Sequence, residues 1–159
     1  MNWDAIGAIG ELVGAIAVVI SLFYLAFQIR ANTKSIQGSS YQELLVLFQG
    51  VNNQAYNPEF SGVIRRFLSH SDDLSESDTH RGRQYFQNII RNMQHAHLQF
   101  LTGNISETQW GILSGSFGGY AASPGFTNLW EQSKSFNERV DPEYAYWVSR
   151  NLEKTSLVS

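Results

Sequence analysis

Two patterns of apolar residues follow one another along this chain. From Ala5 to Ile29 the sequence AIGAIGELVGAIAVVISLFYLAFQI is almost unbroken in its hydrophobicity, with Glu11 as its one ionisable group and Arg30 directly after it. The uncharged run Leu12 to Ile29 is about 18 residues, or about 27 Å of helix; counted from Ala5 it is about 37 Å. A hydrocarbon layer of roughly 30 Å needs a stretch of this kind. The pattern therefore predicts a transmembrane helix. A buried helix of a soluble bundle is the plainer alternative, but its sequence normally carries more charge.

After Arg30 the pattern becomes amphipathic. Tyr41, Leu44, Leu45, Phe48 and Val51 keep helical spacing, so the first helix can run on as a stalk. Gly38-Ser39-Ser40 is the expected kink or break, because glycine costs about 1 kcal/mol inside a helix. Asn57-Pro58-Glu59 opens the next helix as N-cap and first-turn proline, with Phe60, Val63, Ile64, Phe67 and Leu68 on one face. The polar loop SHSDDLSESD follows. Ser75 with Asp78 caps a long helix from about Glu76 to Thr102, closed by Gly103. Its apolar side is Phe86, Ile89, Ile90, Met93, His97, Phe100 and Leu101. Ser106 with Gln109 starts another helix bearing Trp110, Leu113, Phe117 and Tyr120. Ser123-Pro124 begins one facing inward through Phe126, Leu129, Trp130, Ser133 and Phe136, and Asp141-Pro142 begins the last, with Tyr144, Trp147, Val148 and Leu152. No segment alternates as a strand does. The expected fold is all-α: one N-terminal transmembrane helix (1–30), a stalk or connecting helix (31–56), a soluble domain of about four to five helices (57–155) and a frayed tail (156–159).

Composition narrows the function classes. The net charge is −3 and there is no basic block, which argues against a nucleic-acid partner. There is no cysteine, so disulfides, thiolate zinc sites and thiol catalysis are excluded. The first residues lack the positive n-region of a signal peptide, and the apolar run ends without a small-residue cleavage site, so the segment is expected to be retained.

Charges at the ends of the apolar run suggest its orientation. Asp4 and Glu11 lie on the N-terminal side, Arg30 and Lys34 on the C-terminal side. The positive-inside rule puts the C-terminal domain in the cytoplasm and the N-terminus outside. Trp3, Arg30 and Lys34 are the membrane-flanking residues, and the bilayer is the first partner.

Small residues recur on that helix at Gly7, Gly10, Gly14, Ala17 and Ser21, alternately three and four apart, and Tyr24 and Gln28 continue the row. Lipid supplies little hydrophobic drive between helices, so association depends on close backbone approach and interhelical hydrogen bonds, which such a row allows. These seven residues are the candidate helix–helix interface, toward another copy of the chain or another membrane protein. The same row also arises where glycine and alanine are merely common. Glu11 stands beside it. A span starting at Ala5 partly submerges this carboxylate, at a cost of about 2.5–3.5 kcal/mol at full depth; a span starting at Leu12 leaves it among the headgroups.

The histidines offer no metal site. His95 and His97 are two apart and point to different sides of a helix. His97 reads as a hydrogen-bonded core or interface histidine, and His70 and His80 flank a solvated acidic loop. GSFGGY at 115–120 lacks the strand and lysine of a phosphate loop and reads as a loose helix end or close backbone contact. No nucleophile, metal set or acid–base pair can be named, so neither an enzyme nor a cofactor is expected.

GELVGAIAVVISLFYLAFQIRANT, with SPGFTNLWEQSKSFN further on, resembles a group of small uncharacterised bacterial proteins that have one N-terminal membrane helix and a helical soluble region. The resemblance spans most of the chain and is strongest in the first 34 residues. It implies a single-pass protein of the bacterial inner (cytoplasmic) membrane and no particular activity. The expected function is that of a membrane-anchored interaction protein, assembling through its transmembrane helix as a homo-oligomer or as an accessory subunit of a larger membrane complex. The second expectation is an oligomeric ion channel or tethered small-molecule sensor using Glu11, Ser21 and Gln28.

Overall fold

The computed structural model describes residues 2–70 and 72–156. Among these the chain is all-helical: α1 (Trp3–Ala55), α2 (Pro58–Leu68), α3 (Glu76–Leu101), α4 (Glu107–Gly115), α5 (Phe117–Ala121), α6 (Pro124–Val140) and α7 (Pro142–Ser156). Of the tail expected at 156–159, Ser156 ends α7, and positions 157–159 lie outside the described residues.

The first helix is one unbroken element of 53 residues, about 80 Å long. The break expected at Gly38-Ser39-Ser40 does not occur. Ser39 Oγ donates to the Ser35 and Ile36 carbonyls at 3.2 and 3.0 Å, so its hydroxyl bonds back onto the helix. The two halves of α1 have different surroundings. Leu44 and Val51 are buried in the main core, and Tyr41, Leu45 and Phe48 pack against it. Every described side chain from Asn2 to Ile36 is exposed. From about Tyr41 onward α1 is thus a wall of the bundle, and a short bare stretch separates that wall from the apolar run.

Local signals set the other boundaries. Asn57 Oδ1 accepts from the Phe60 amide at 3.1 Å, Ser75 Oγ from the Asp78 amide at 3.1 Å, and Asp141 Oδ1 from the Tyr144 amide at 3.0 Å. Ser106 and Gln109 form a reciprocal capping box. Gly103, at φ 75°, takes the left-handed conformation that ends α3. The helix read through Trp110, Leu113, Phe117 and Tyr120 is divided at Ser116 into α4 and the short α5. GSFGGY spans the end of α4, Ser116 and most of α5, and its glycines have open space where a Cβ would stand, so they make no close contact.

The core is aromatic. Phe86, Phe117, Phe126, Trp130 and Tyr144 are essentially fully buried, with Phe86 edge-on to Tyr85, Tyr120 and Phe126. Tyr144 donates its hydroxyl to the Ile90 carbonyl at 2.9 Å, joining α7 to α3. Gly125 packs against the Phe67 carbonyl so closely that a Cβ there would overlap backbone; α6 can only start where it does because this residue is glycine. Two inward assignments fail: Phe136 and Leu101 are exposed, and Asn137 is the buried residue on the late turns of α6.

Candidate functional site: the uncovered face of α1

The apolar half of α1 is long and apolar enough to cross a membrane, and none of its most apolar window is covered by the rest of the chain. Phe23, Phe27, Ile20 and Leu22 are all more than half exposed. In this chain, then, the segment is not a soluble core helix wrapped by its own bundle.

Helical geometry relates its faces to the bundle. At about 100° per residue, Gln37, Tyr41, Leu44 and Phe48 share one direction, and three of these touch the core. On the same wheel Gly7, Gly10, Gly14, Ala17, Ser21, Tyr24 and Gln28 point between about 120° and 180° away from it. The small-residue row therefore lies on the side of α1 opposite the bundle. A Cβ at Gly7, Gly10 or Gly14 would meet nothing within 4 Å. Along this row Ser21 Oγ donates to the Ala17 carbonyl at 2.9 Å and Gln28 Nε2 to the Tyr24 hydroxyl at 2.7 Å. These bonds satisfy the polar groups within the helix and leave the second amide hydrogen and the carbonyl oxygen of Gln28 free of that bond. Glu11 is exposed beside the row, and Trp3, Arg30 and Lys34 are exposed at the ends of the apolar half.

The histidines settle differently from one another. His95 Nε2 is 3.0 Å from Gln99 Nε2 on the flank of α3. His97 is buried among Trp110, Tyr144 and Trp147, with ring centroids 5.3, 5.8 and 6.3 Å away. It is a core residue as expected, but its Nδ1 has no hydrogen-bond partner. Burial lowers its pKa from the ordinary histidine value, against the smaller upward pull of Asp141 and Glu143. Among the described residues no group of His, Asp and Glu is placed to hold a metal. Of the acidic residues expected in the loop, Asp78 stands in the first turn of α3 and pairs with Arg66 at 3.5 Å and Arg81 at 3.4 Å.

An open recess of about 400 Å³ lies where the end of α1 meets α2 and α3, lined by Gln54, Asn57, Phe60, Arg81, Gln84 and Tyr85 among others. Its cation is already matched, since Arg81 sits over the Phe60 ring at 5.0 Å and reaches Glu59 and Asp78. Burial, with Tyr120 beside it, pushes the Tyr85 phenol up to about 12, so it stays protonated near neutrality.

Comparison with protein-family profiles, with curated proteins and with solved structures found no significant match.

Proposed function

We propose that the protein is a membrane-anchored interaction protein. The apolar half of α1 crosses the bacterial inner membrane once, with the N-terminus outside and the bundle in the cytoplasm, and its small-residue row grips a second transmembrane helix. The observation that carries this reading is the opposition of faces: the row points away from the bundle, so a helix can lie along it without meeting the chain's own soluble part. Packing of that kind, in which small residues let backbones approach, is how helices associate in lipid. The partner is another copy of the chain or a helix of a larger membrane complex.

The test is purification from membranes followed by mass measurement of the intact assembly. Wild type is expected as an oligomer or with a co-purifying membrane protein. Gly14→Leu, on the row, should disrupt that assembly. Val19→Leu, on the bundle side of the same helix, should leave it intact. A monomer without partners in all three would remove the proposal.

A further inference from the structure

The end of α1 that leaves the apolar run carries two cations on one side of the helix. Arg30 and Lys34 are exposed, and among the described residues neither has an ion-pair partner. On the helical wheel both fall within about 50° of the direction shared by Gln37, Tyr41 and Leu44. They therefore extend the bundle-facing row of α1 upward, toward the apolar half, and do not lie on its free side.

The bundle is tied to α1 just below them. Gln37 Nε2 donates to the Gly103 carbonyl at 3.2 Å, and Gln109 Nε2 donates to the Gln37 carbonyl at 3.4 Å. Further down, Asn92 Nδ2 donates to the Leu47 carbonyl at 3.2 Å, so α3 runs antiparallel to α1 with its C-terminal corner uppermost. Because α1 is unbroken, height can be measured along it. Gln37 is about 12 Å beyond Ile29, and Lys34 about 7.5 Å. The headgroup layer on one side of a bilayer is roughly 5–8 Å thick. The corner at 102–106 thus stands about 4–7 Å beyond the outer edge of the headgroups, and the two cations stand within them.

Charge fits this placement. The turn 102–106, TGNIS, includes no carboxylate and its Thr102 and Gly103 are exposed, with one exposed carboxylate, Glu107, directly after it at the start of α4. The chain as a whole is acidic, at −3, so the attraction to an anionic surface has to come from Arg30 and Lys34. We propose that the α3–α4 corner rests on the membrane surface, with Arg30 and Lys34 holding phosphates of anionic glycerophospholipids in the gap beneath it. The inference rests on the reading that α1 spans the bilayer. It goes beyond that reading by giving the bundle a fixed seat and the site a ligand. Two cations beneath this corner hold a lipid phosphate between helix and bundle, and so fix the tilt of the rigid α1 and its bundle at the bilayer surface.

The absence of cysteine makes single labelling sites clean. Full-length Thr102→Cys and Asn53→Cys, both at exposed positions, would carry a fluorophore and be reconstituted into phosphatidylcholine vesicles with or without phosphatidylglycerol. Headgroup spin-labelled lipid is the quencher. The label at 102 should be quenched, more strongly with phosphatidylglycerol present, and the label at 53, about 36 Å beyond Ile29, should not. Native mass spectrometry should find phosphatidylglycerol retained in preference to phosphatidylcholine. Arg30→Gln and Lys34→Gln should each lower that preference about fivefold, the weight of one cation at an anionic surface. An unquenched label at 102 in protein that floats with the vesicles overturns the seat while leaving the anchor standing. An unchanged lipid preference in the double variant overturns the phosphate site. Protein that does not float with vesicles overturns the anchor, and this inference with it.

Discussion

Three buried residues show what this core tolerates. His97 is held neutral by burial among aromatic rings. Its folded pKa lies below its unfolded value, so the unfolded chain takes up the proton first as pH falls. Above about pH 6.5 both states are neutral and the residue adds no pH dependence. Below that, stability declines until the folded pKa is passed. His97→Phe should flatten the fall in melting temperature between neutral pH and the onset of carboxylate titration; an identical pH profile would show that other groups set it. Gly125 is constrained by backbone, the Phe67 carbonyl standing where a Cβ would go. Gly125→Ala should cost about 1–3 kcal/mol or more through overpacking, measured by denaturant unfolding of the solubilised protein. Tyr144→Phe removes the bond to the Ile90 carbonyl and should cost about 0.5–1.5 kcal/mol in the same measurement.

At the scale of elements, caps and prolines are legible in the sequence, and faces are legible in part. Asn57, Ser75 and Ser106 each cap the helix that their spacing predicts, because capping is decided within four residues. Periodicity marks the apolar side of a helix but not how far its neighbours reach across it. Leu101 is the last residue of α3 and stays exposed, whereas on α6 the cover reaches Asn137 and it is the neighbouring face, that of Phe136, which stays exposed. The split at Ser116 is a tertiary choice between two weak helical turns. The break expected at Gly38 fails for a different reason. Its propensity cost is real, but one glycine is outweighed by the helix on either side, one half apolar and the other packed into the core. The site is open, with nothing within 4 Å of the place a Cβ would take. Gly38→Ala should therefore stabilise the lower half of α1 by about 1 kcal/mol, seen as slower amide exchange around residues 35–45 with no change in assembly. Faster exchange or a lost assembly would mean that the glycine has a packing role.

For the whole molecule, the row of small residues is visible in the sequence, but its direction relative to the bundle is not. That relation needs the unbroken helix joining them, because only a rigid α1 transmits the orientation of Leu44 in the core to Gly14 in the apolar half. It also turns the charge pair Arg30 and Lys34 from a topology signal into groups with a defined side. The central claim is that the uncovered face of α1 opposite the bundle is an interface. The most direct measurement is a leucine scan of α1 in the full chain, read by the mass of the assembly extracted from membranes. Substitutions at Gly7, Gly10, Gly14, Ala17 and Ser21 should weaken the assembly, while those at Ile16, Val19 and Phe23 should not, so that the effect repeats with the helical period of the row. Uniform effects around the helix, or a lone monomer in every sample including wild type, would contradict it.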